Sequence, residues 1–217
     1  MHFAHPRSLL AAALLTVASA AAAAPTSHPA NDVPAATTLP ANWRVSGDDV
    51  TEYRMSRSAS AHHDGQYGAA IEHVSGSGNG FGTLVQAIRA EPYRGKRVIL
   101  KGWMKTDDAG AGQMWLRIDG TDRTLSMDNM DNRPVTGTTG WKQYTIVMDI
   151  PVSADKLAFG VFLAGKGSLA FDDLTFEIAP EDAKPTRFYD FMKDPFEGPF
   201  KQACCALDAP ANLDFEH

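Results

Sequence analysis

The sequence predicts an all-β protein, an antiparallel β-sandwich followed by an irregular C-terminal arm. Three observations predict this class. Between residues 65 and 178, apolar and polar residues alternate with a period of two, which is typical of half-buried strands. Turn-forming stretches, "SGSGNG", "DDAGAG", "DGTD", "NRPVTGTTG" and "AGKG", separate these runs. No helical periodicity lies between them, which argues against a parallel α/β sheet.

Eight strands are predicted in order along this region. The run "RVILKGWMK" (97–105) places Val98, Leu100 and Met104 on one face and Trp103 on the other. The run "QMWLRID" (113–119) repeats this arrangement, with Trp115 opposite its core-patterned residues. The other six predicted strands are Gly68–Val74, Thr83–Arg89, Thr124–Met130, Trp141–Ile150, Lys156–Ala164 and Ser168–Ile178.

The N-terminal region predicts export. Residues 1–24 contain Arg7, then an apolar run and a string of small residues, which is the anatomy of a secretory signal peptide. Residues 25–40 are rich in Pro, Ala and Thr and predict a flexible leader. We therefore expect a secreted or periplasmic protein with one sandwich domain at residues 41–179. After signal cleavage, no apolar run is long enough for an integral membrane segment.

Charge and motifs exclude several function classes. The formal net charge is −6 and no basic stripe is present, which argues against a nucleic-acid partner. "GSGNGFG" precedes a strand rather than a helix, so it is not a phosphate loop. No Ser lies in a Gly-x-Ser-x-Gly elbow, and His62, His63 and Asp64 lack a spaced third metal ligand and predict a surface turn. We expect a monomer that is not an enzyme.

The C-terminal region differs in composition from the sandwich. Residues 180–211 are aromatic-rich but broken by Pro195 and Pro199, which predicts an irregular arm packed on the sandwich. Cys204 and Cys205 are adjacent, so they form either a strained vicinal disulfide or two thiols that are buried or singly cross-linked. The final residues, 212–217, alternate apolar and acidic side chains and predict a terminal strand, with a frayed tail or a swap into a second molecule as the alternatives.

Several motifs carry a resemblance to a known fold. "YRGKRV", "GWMKT", "DNMDNRPV" and "FDDLTFE" resemble segments of the galactose-binding-like jelly roll, above all in a group of exported bacterial proteins built on a carbohydrate-binding-module-type sandwich. The resemblance covers about residues 41–178 and the last six. Some relatives carry a transcription-regulator label. We do not expect that function here, because the sequence has a signal peptide, an acidic net charge and no helix-turn-helix pattern. In this fold a strand reading "NLDFE" normally comes first, so we expect residues 212–217 to fill that slot beside Phe171–Ile178.

The resemblance also implies a structural calcium ion. Similar modules often bind calcium at the junction of their first and last strands, with one acid from each. Here those acids are Glu216 and either Asp172 or Asp173. Because calcium takes six to eight oxygen ligands, backbone carbonyls or Asp214 would have to complete the site. The alternative is that these acids form a solvated strand edge.

Two groups of residues are candidates for ligand binding. Aromatic rings stack on sugar rings while charged groups bind hydroxyls, so one platform is predicted on the outward face of two strands. Its members are Trp103, Trp115, Arg117 and Asp119. The alternative is that the C-terminal arm covers this face. Asp128, Asn129 and Arg133 form a second polar cluster, which either binds ligand or stabilises a turn.

These observations lead to one expected function and one alternative. We expect an exported, non-catalytic ligand-binding module whose partner is a carbohydrate or cell-envelope glycan. The alternative is a structural or protein-interaction sandwich, with an envelope protein as partner and its own arm in the groove.

Overall fold

A computed structural model describes residues 38–186, 189–190 and 206–217. The strands in chain order are β1 (Arg44–Gly47), β2 (Tyr53–Ser58), β3 (Gly68–His73), β4 (Phe81–Arg89), β5 (Arg97–Asp119), β6 (Thr124–Asp128), β7 (Val135–Asp149), β8 (Lys156–Ala164), β9 (Ser168–Ile178) and β10 (Tyr189–Asp190). The helical elements of the described residues are three short 3-10 turns, Val50–Glu52, Ala59–Ala61 and Glu91–Tyr93. The predicted all-β class is confirmed.

The long strand β5 belongs to two layers. Its first part pairs with β7 and β9, and the order β7-β5-β9-β3-β2 forms the first sheet. Its last part pairs with β6 and β8, and the order β6-β5-β8-β4-β1 forms the second sheet. All of these pairs are antiparallel. The two sheets face each other as an antiparallel sandwich joined through β5.

Alternating side chains of both sheets fill the core between them. The inward residues of β5 (Val98, Leu100, Met104, Met114, Leu116 and Ile118) are fully buried, as expected from the period of two. Phe159 of the second sheet stacks against Phe176 of the first, with ring centroids 5.2 Å apart. Trp43 contacts Phe159 and Phe171 edge-on and so also joins the two layers.

All eight predicted strands are present, but two predicted turns are not. "DDAGAG" was expected to separate two strands, whereas the chain stays paired through it as the bend of β5. Ala109 and Gly112 still pair with Gly137 and Val135 of β7, and the bend is taken up by bulges and by a positive φ of 46° at Asp108. β7 therefore begins inside the predicted turn "NRPVTGTTG". The short strands β1 and β2 were not predicted.

The predicted terminal strand is also corrected. Residues 212–217 form a turn followed by irregular chain, with positive φ angles of 48° at Asn212 and 57° at Phe215 that a strand does not allow. The amide of Leu174 in β9 donates to the carbonyl of Leu213 (3.0 Å). The indole of Trp43 donates to the carbonyl of Asn212 (2.9 Å). The segment thus lies beside β9, but as an irregular strap.

Phe215 anchors this strap in the core. Its side chain is fully buried, with its ring centroid 5.2 Å from that of Trp43 and 5.2 Å from that of Phe171. The backbone of the strap is tied to the start of the domain, because the amide of Ala41 donates to the carbonyl of His217 (3.0 Å). A buried aromatic ring and separate hydrogen bonds to backbone carbonyls hold the segment, without the continuous backbone ladder of a strand.

Parts of the predicted organisation lie outside the described residues. These are the signal peptide, the leader up to residue 37, and residues 187–188 and 191–205 of the arm, which include both cysteines. At the described ends of the arm, Tyr189–Asp190 pairs with β6 and Leu207 pairs with Ile88 of β4. Within the described ranges, no helix has the length and apolar character needed to cross a membrane.

Candidate ligand-binding surface

Trp103 and Trp115 lie on different faces of the molecule. Trp103 is in the first part of β5, opposite Gln143 of β7 and Asp172 of β9. Trp115 is in the last part of β5, opposite Gly160 of β8. Both point away from the core, but each belongs to the outer face of its own sheet. The prediction of one platform with both indoles is therefore wrong.

Trp103 is part of an aromatic cluster with His63 and Trp141. The His63 ring is stacked on Trp103, with centroids 4.0 Å apart and planes inclined by 12°. It meets Trp141 edge-on at 5.5 Å. The ammonium of Lys105 lies 4.9 Å from the centroid of the Trp141 ring, a cation–π contact. All four side chains are half-buried, so the aromatic cluster reaches the surface of the first sheet.

A bulge in β9 positions His63. The register of β9 against β5 shifts at this point, and Asp173 has a φ of 48°. The adjacent acids Asp172 and Asp173 consequently contact different atoms of one residue. Oδ2 of Asp172 accepts a hydrogen bond from the His63 amide (2.7 Å), and Oδ2 of Asp173 lies 2.7 Å from His63 Nδ1. Two carboxylates thus fix both the backbone and the ring of His63.

Two members of the aromatic cluster were missed by the sequence analysis. The "HHDG" stretch was interpreted as a surface turn, and His63 is placed against Trp103 only through contacts that span about forty residues of chain. Trp141 had a weak signal, because it lies two positions before Gln143 in β7 and therefore on the same outward face. Extending the period of two by one step would have placed it beside Trp103.

Trp115 is buried on the second sheet, with only 7% of its surface exposed. Its indole reaches across β8 and donates to Oγ1 of Thr83 in β4 (3.1 Å). This path is open because residue 160 is glycine: a Cβ there would lie 3.2 Å from the indole nitrogen and 2.1 Å from the carbonyl oxygen of Leu84. Ala87 and Ala158 complete the buried patch. Trp115 is therefore a packing residue, not the predicted stacking surface.

Arg117 and Asp119 bind each other on the same outer face. Nη2 of Arg117 lies 2.9 Å from Oδ2 of Asp119, and their side chains are only 6% and 15% exposed. The hydroxyl of Thr124 donates to the other oxygen of Asp119 (3.0 Å). Because Arg117 and Asp119 are largely buried and bonded to these partners, they fit poorly as the predicted binding groups for ligand hydroxyls.

The polar cluster of Asp128, Asn129 and Arg133 stabilises a turn. Asp128 is 1% exposed and accepts hydrogen bonds from the amide of Met130 (2.9 Å) and from Arg133 (2.7 Å). Oδ1 of Asn129 accepts from the amide of residue 131 (3.2 Å). The hydroxyl of Thr186 donates to Asp128 and bonds the backbone of β7, which ties the edge strands of the two sheets together. Of the two alternatives, the turn fits these contacts.

The acids predicted to bind calcium are held by backbone amides. Asp172 is fully buried, and its carboxylate accepts hydrogen bonds from the amides of His63, Asp64 and Asp173 (2.7, 3.2 and 2.8 Å). Burial raises the pKa of Asp172, although the three amides oppose that shift. Its lone pairs face N–H donors rather than an open cavity.

Glu216 is engaged in the same way at a different part of the loop. Its Oε1 accepts from the amides of Gln66 (2.7 Å) and Tyr67 (3.1 Å), and these hydrogen bonds lower the pKa of Glu216. Among the described residues, no three His, Cys, Asp or Glu side chains form a group that could hold a metal ion. Asp172, Asp173 and Glu216 therefore do not fit the predicted calcium site.

Comparison with known proteins gives one curated relative and several similar folds. No protein-family model matches the chain. Over 177 residues the chain is 33% identical to YbfP of Bacillus subtilis (strain 168), named an uncharacterized HTH-type transcriptional regulator. The match covers 80% of this chain and 56% of that protein, so the chain spans little more than half of its relative. The described residues contain strands and 3-10 turns but no pair of helices that could form a helix-turn-helix.

Solved structures of similar fold include carbohydrate-binding modules. The enzymatically active domain of tailspike protein 4 from Bacteriophage CBA120 matches with a TM-score of 0.51 at 14% identity, over 64% of this chain and 20% of that one. The CBM22-1 xylan-binding domain of Paenibacillus barcinonensis Xyn10C matches with a TM-score of 0.49 at 11% identity, over 65% and 88% of the two chains. The module TmCBM61, solved with β-1,4-galactotriose, matches with a TM-score of 0.45 at 18% identity, over 65% and 91%. With a TM-score of 0.51 at 14% identity, the tailspike match shows a similarity of fold alone.

Proposed function

We propose that this chain is an exported, non-catalytic module that binds glycans through the aromatic cluster of His63, Trp103 and Trp141. The observation that carries the proposal is the half-exposed grouping of two indole rings and an imidazole on the outer face of the first sheet. Sugar rings bind to such surfaces through their apolar C–H faces.

Polar groups beside the rings supply partners for sugar hydroxyls. Lys105 contributes an ammonium at the Trp141 ring, and the amide of Gln143 is exposed on the same face of β7. Because Asp173 engages Nδ1 of His63, Nε2 is the second hydrogen-bonding atom of that ring. A few fixed polar groups beside aromatic rings are the usual composition of a small-ligand site.

The contacts of the cluster favour binding over catalysis. The His63 ring contacts Trp103, Trp141 and Asp173. None of these is a nucleophile that the imidazole could activate. Export is proposed from residues 1–24, whose sequence has the pattern of a signal peptide.

The proposal is tested by titrating the mature chain (residues 25–217) with a panel of neutral and uronic-acid oligosaccharides, followed by calorimetry. We expect Trp141→Ala to weaken binding about two- to tenfold, since loss of a stacking ring costs roughly 0.5–1.5 kcal/mol. Trp115→Phe is the matched control and should bind like the wild type. Equal affinity of the wild type and Trp141→Ala, or binding lost only with Trp115→Phe, would contradict the proposal.

A second candidate function concerns the opposite face. Trp115, Ala87 and Ala158 are buried on the outer side of the second sheet. The chain on either side of residues 191–205 pairs with β6 at one edge of that sheet and with β4 near the other. These contacts favour a structural surface there, in line with the alternative of a structural or protein-interaction sandwich. Calorimetry of the wild type with the glycan panel separates the two candidates, because a purely structural module would bind none of the sugars.

A further inference from the structure

Arg57, at the end of β2, holds the C-terminal strap. Its Nε donates to the carbonyl of Phe215 (2.6 Å) and its Nη2 donates to the carbonyl of Glu216 (2.6 Å). The guanidinium carbon lies 3.4 Å from the centroid of the Tyr67 ring, which is a close cation–π contact. One cation therefore connects β2, the strap and the loop before β3.

The same loop binds the two carboxylates discussed above. The amides of His63 and Asp64 bind Asp172, and the amides of Gln66 and Tyr67 bind Glu216. The turn between these pairs needs a residue with positive φ, and Gly65 supplies it with a φ of 65°. A side chain at position 65 would also collide with Glu216, since a Cβ would lie 2.2 Å from its Oε1.

Carboxylates and backbone carbonyls are the oxygen donors that a calcium ion selects. Here the carbonyls of Phe215 and Glu216 face the guanidinium of Arg57, and the carboxylates of Asp172 and Glu216 face peptide N–H groups. An arginine side chain is always protonated and presents its donors in a fixed fork. The guanidinium of Arg57 thus supplies the positive charge that a bound calcium ion would bring to these oxygens.

We infer that Arg57 and the amides of loop 63–67 take the place of a metal ion at this junction, so the module is stable without calcium. The loop they hold carries His63, which is stacked on Trp103. Arg57 is therefore a positioning residue for the aromatic cluster. This last step rests on the proposed function, whereas metal independence does not.

The test begins with thermal melts of the mature wild type in millimolar EDTA and in millimolar CaCl2. We expect the same Tm in both. A rise with calcium or a fall with EDTA would overturn the inference, and this measurement needs no variant and no glycan.

Variants then test the role of Arg57. Arg57→Gln should lower Tm by about 4–8 °C because two charge-assisted hydrogen bonds and a ring contact are lost. Arg57→Lys should fall between Arg57→Gln and the wild type, since it retains the charge but not the fork. Arg54→Gln is the control on the same strand, because Arg54 forms an exposed ion pair with Glu72. Equal Tm values for Arg57→Gln and Arg54→Gln would contradict the role of Arg57 in holding the strap.

Glycan affinity is measured well below the Tm of each variant. We expect Arg57→Gln to bind about three- to tenfold more weakly, because the loop that carries His63 is less well fixed. Unchanged affinity in Arg57→Gln would remove the positioning role. Failure of the wild type to bind any glycan, with Tm still insensitive to EDTA, would remove the proposed function and leave metal independence standing.

Discussion

His63 lies flat on Trp103, with ring centroids 4.0 Å apart. One residue comes from the loop before β3 and the other from the first part of β5, so the stack joins a surface loop to the first sheet. The imidazole is held from the other side by Asp173 at 2.7 Å. The shape of the candidate ligand surface therefore depends on how firmly that loop is attached.

The first prediction concerns this stack. His63→Ala removes a ring contact and a hydrogen bond to Asp173, and we expect the free energy of unfolding to fall by about 1–2 kcal/mol. Urea unfolding followed by tryptophan fluorescence measures it, and the emission should also shift because Trp103 loses its neighbour. His62→Ala is the control, since His62 is exposed and its Nδ1 lies within hydrogen-bond distance of the Ala59 carbonyl in the same turn. Equal losses in the two variants would show that the stack contributes nothing measurable.

The second prediction concerns Trp115. Trp115→Phe removes the indole donor to Thr83 and leaves a gap above Gly160. We expect a loss of about 1–3 kcal/mol in the free energy of unfolding, with the affinity for any glycan unchanged. Denaturant unfolding and calorimetry on the same sample give both values. A variant of normal stability that no longer binds would restore Trp115 as a ligand residue.

The sequence predicted which side chains of β5 point inward, but not which outward residues share a surface. The period of two separates Trp103 and Trp115 from the core, and both assignments agree with the structure. The alternation shows only whether a side chain points toward the core or away from it. It does not reveal the bend at residues 107–112, where β5 passes from the first sheet to the second. The alternation alone therefore predicts one shared surface for Trp103 and Trp115, although the bend puts them on different sheets.

The C-terminal strap shows a second limit. Leu213 and Phe215 alternate with polar residues as in a strand, yet Asn212 and Phe215 have positive φ angles. A short alternating pattern is compatible with an extended strand and with an irregular segment, because both can bury one apolar ring and expose its polar neighbours. Acids of "FDD" and "DFE", Asp172 and Glu216, accept hydrogen bonds from the same loop. Their partners, the amides of residues 63–67, could not be found from side-chain patterns because backbone donors leave no mark in the sequence.

The third prediction tests how firmly the strap is integrated. Phe215 is fully buried against Trp43 and Phe171, so Phe215→Ala should cost about 3–5 kcal/mol in the free energy of unfolding. Asp214→Asn is the control, since Asp214 is exposed and its side-chain oxygen is retained in Asn. Chemical denaturation of both variants measures the difference. A loss below about 1 kcal/mol for Phe215→Ala would mean that the strap is not part of the cooperative core.

The fourth prediction concerns the turn around Asp128. Asp128→Ala removes the acceptor of partly buried hydrogen bonds from Arg133 and Thr186, and we expect a loss of about 2–4 kcal/mol in the free energy of unfolding. Glycan affinity should stay unchanged at a temperature where the variant is folded. Asp131→Ala, at an exposed position of the same motif, is the control. A large loss of affinity in Asp128→Ala at full stability would favour the ligand role that the motif first suggested.

The last prediction concerns acid. Hydrogen bonds from backbone amides lower the pKa of Glu216 and of Glu52 below their ordinary value of 4.5. A carboxylate with a lowered folded-state pKa stabilises the protein above its unfolded pKa, and this contribution is lost as the pH falls through the folded pKa. Asp172 acts in the opposite sense, because burial raises its pKa above 3.8 and favours its protonated form in the folded state. The contribution of Glu216 and Glu52 should therefore be lost as the pH falls below about 4.5, while Asp172 opposes that loss.

Denaturant unfolding between about pH 7 and pH 3 measures this dependence. Glu216→Gln should be less stable than the wild type at neutral pH and should lose less stability on acidification, since its side chain no longer titrates. Asp48→Asn, which changes an exposed acid, should follow the wild-type curve. Parallel curves for Glu216→Gln and the wild type would mean that the contact of Glu216 with Gln66 and Tyr67 does not contribute to acid sensitivity.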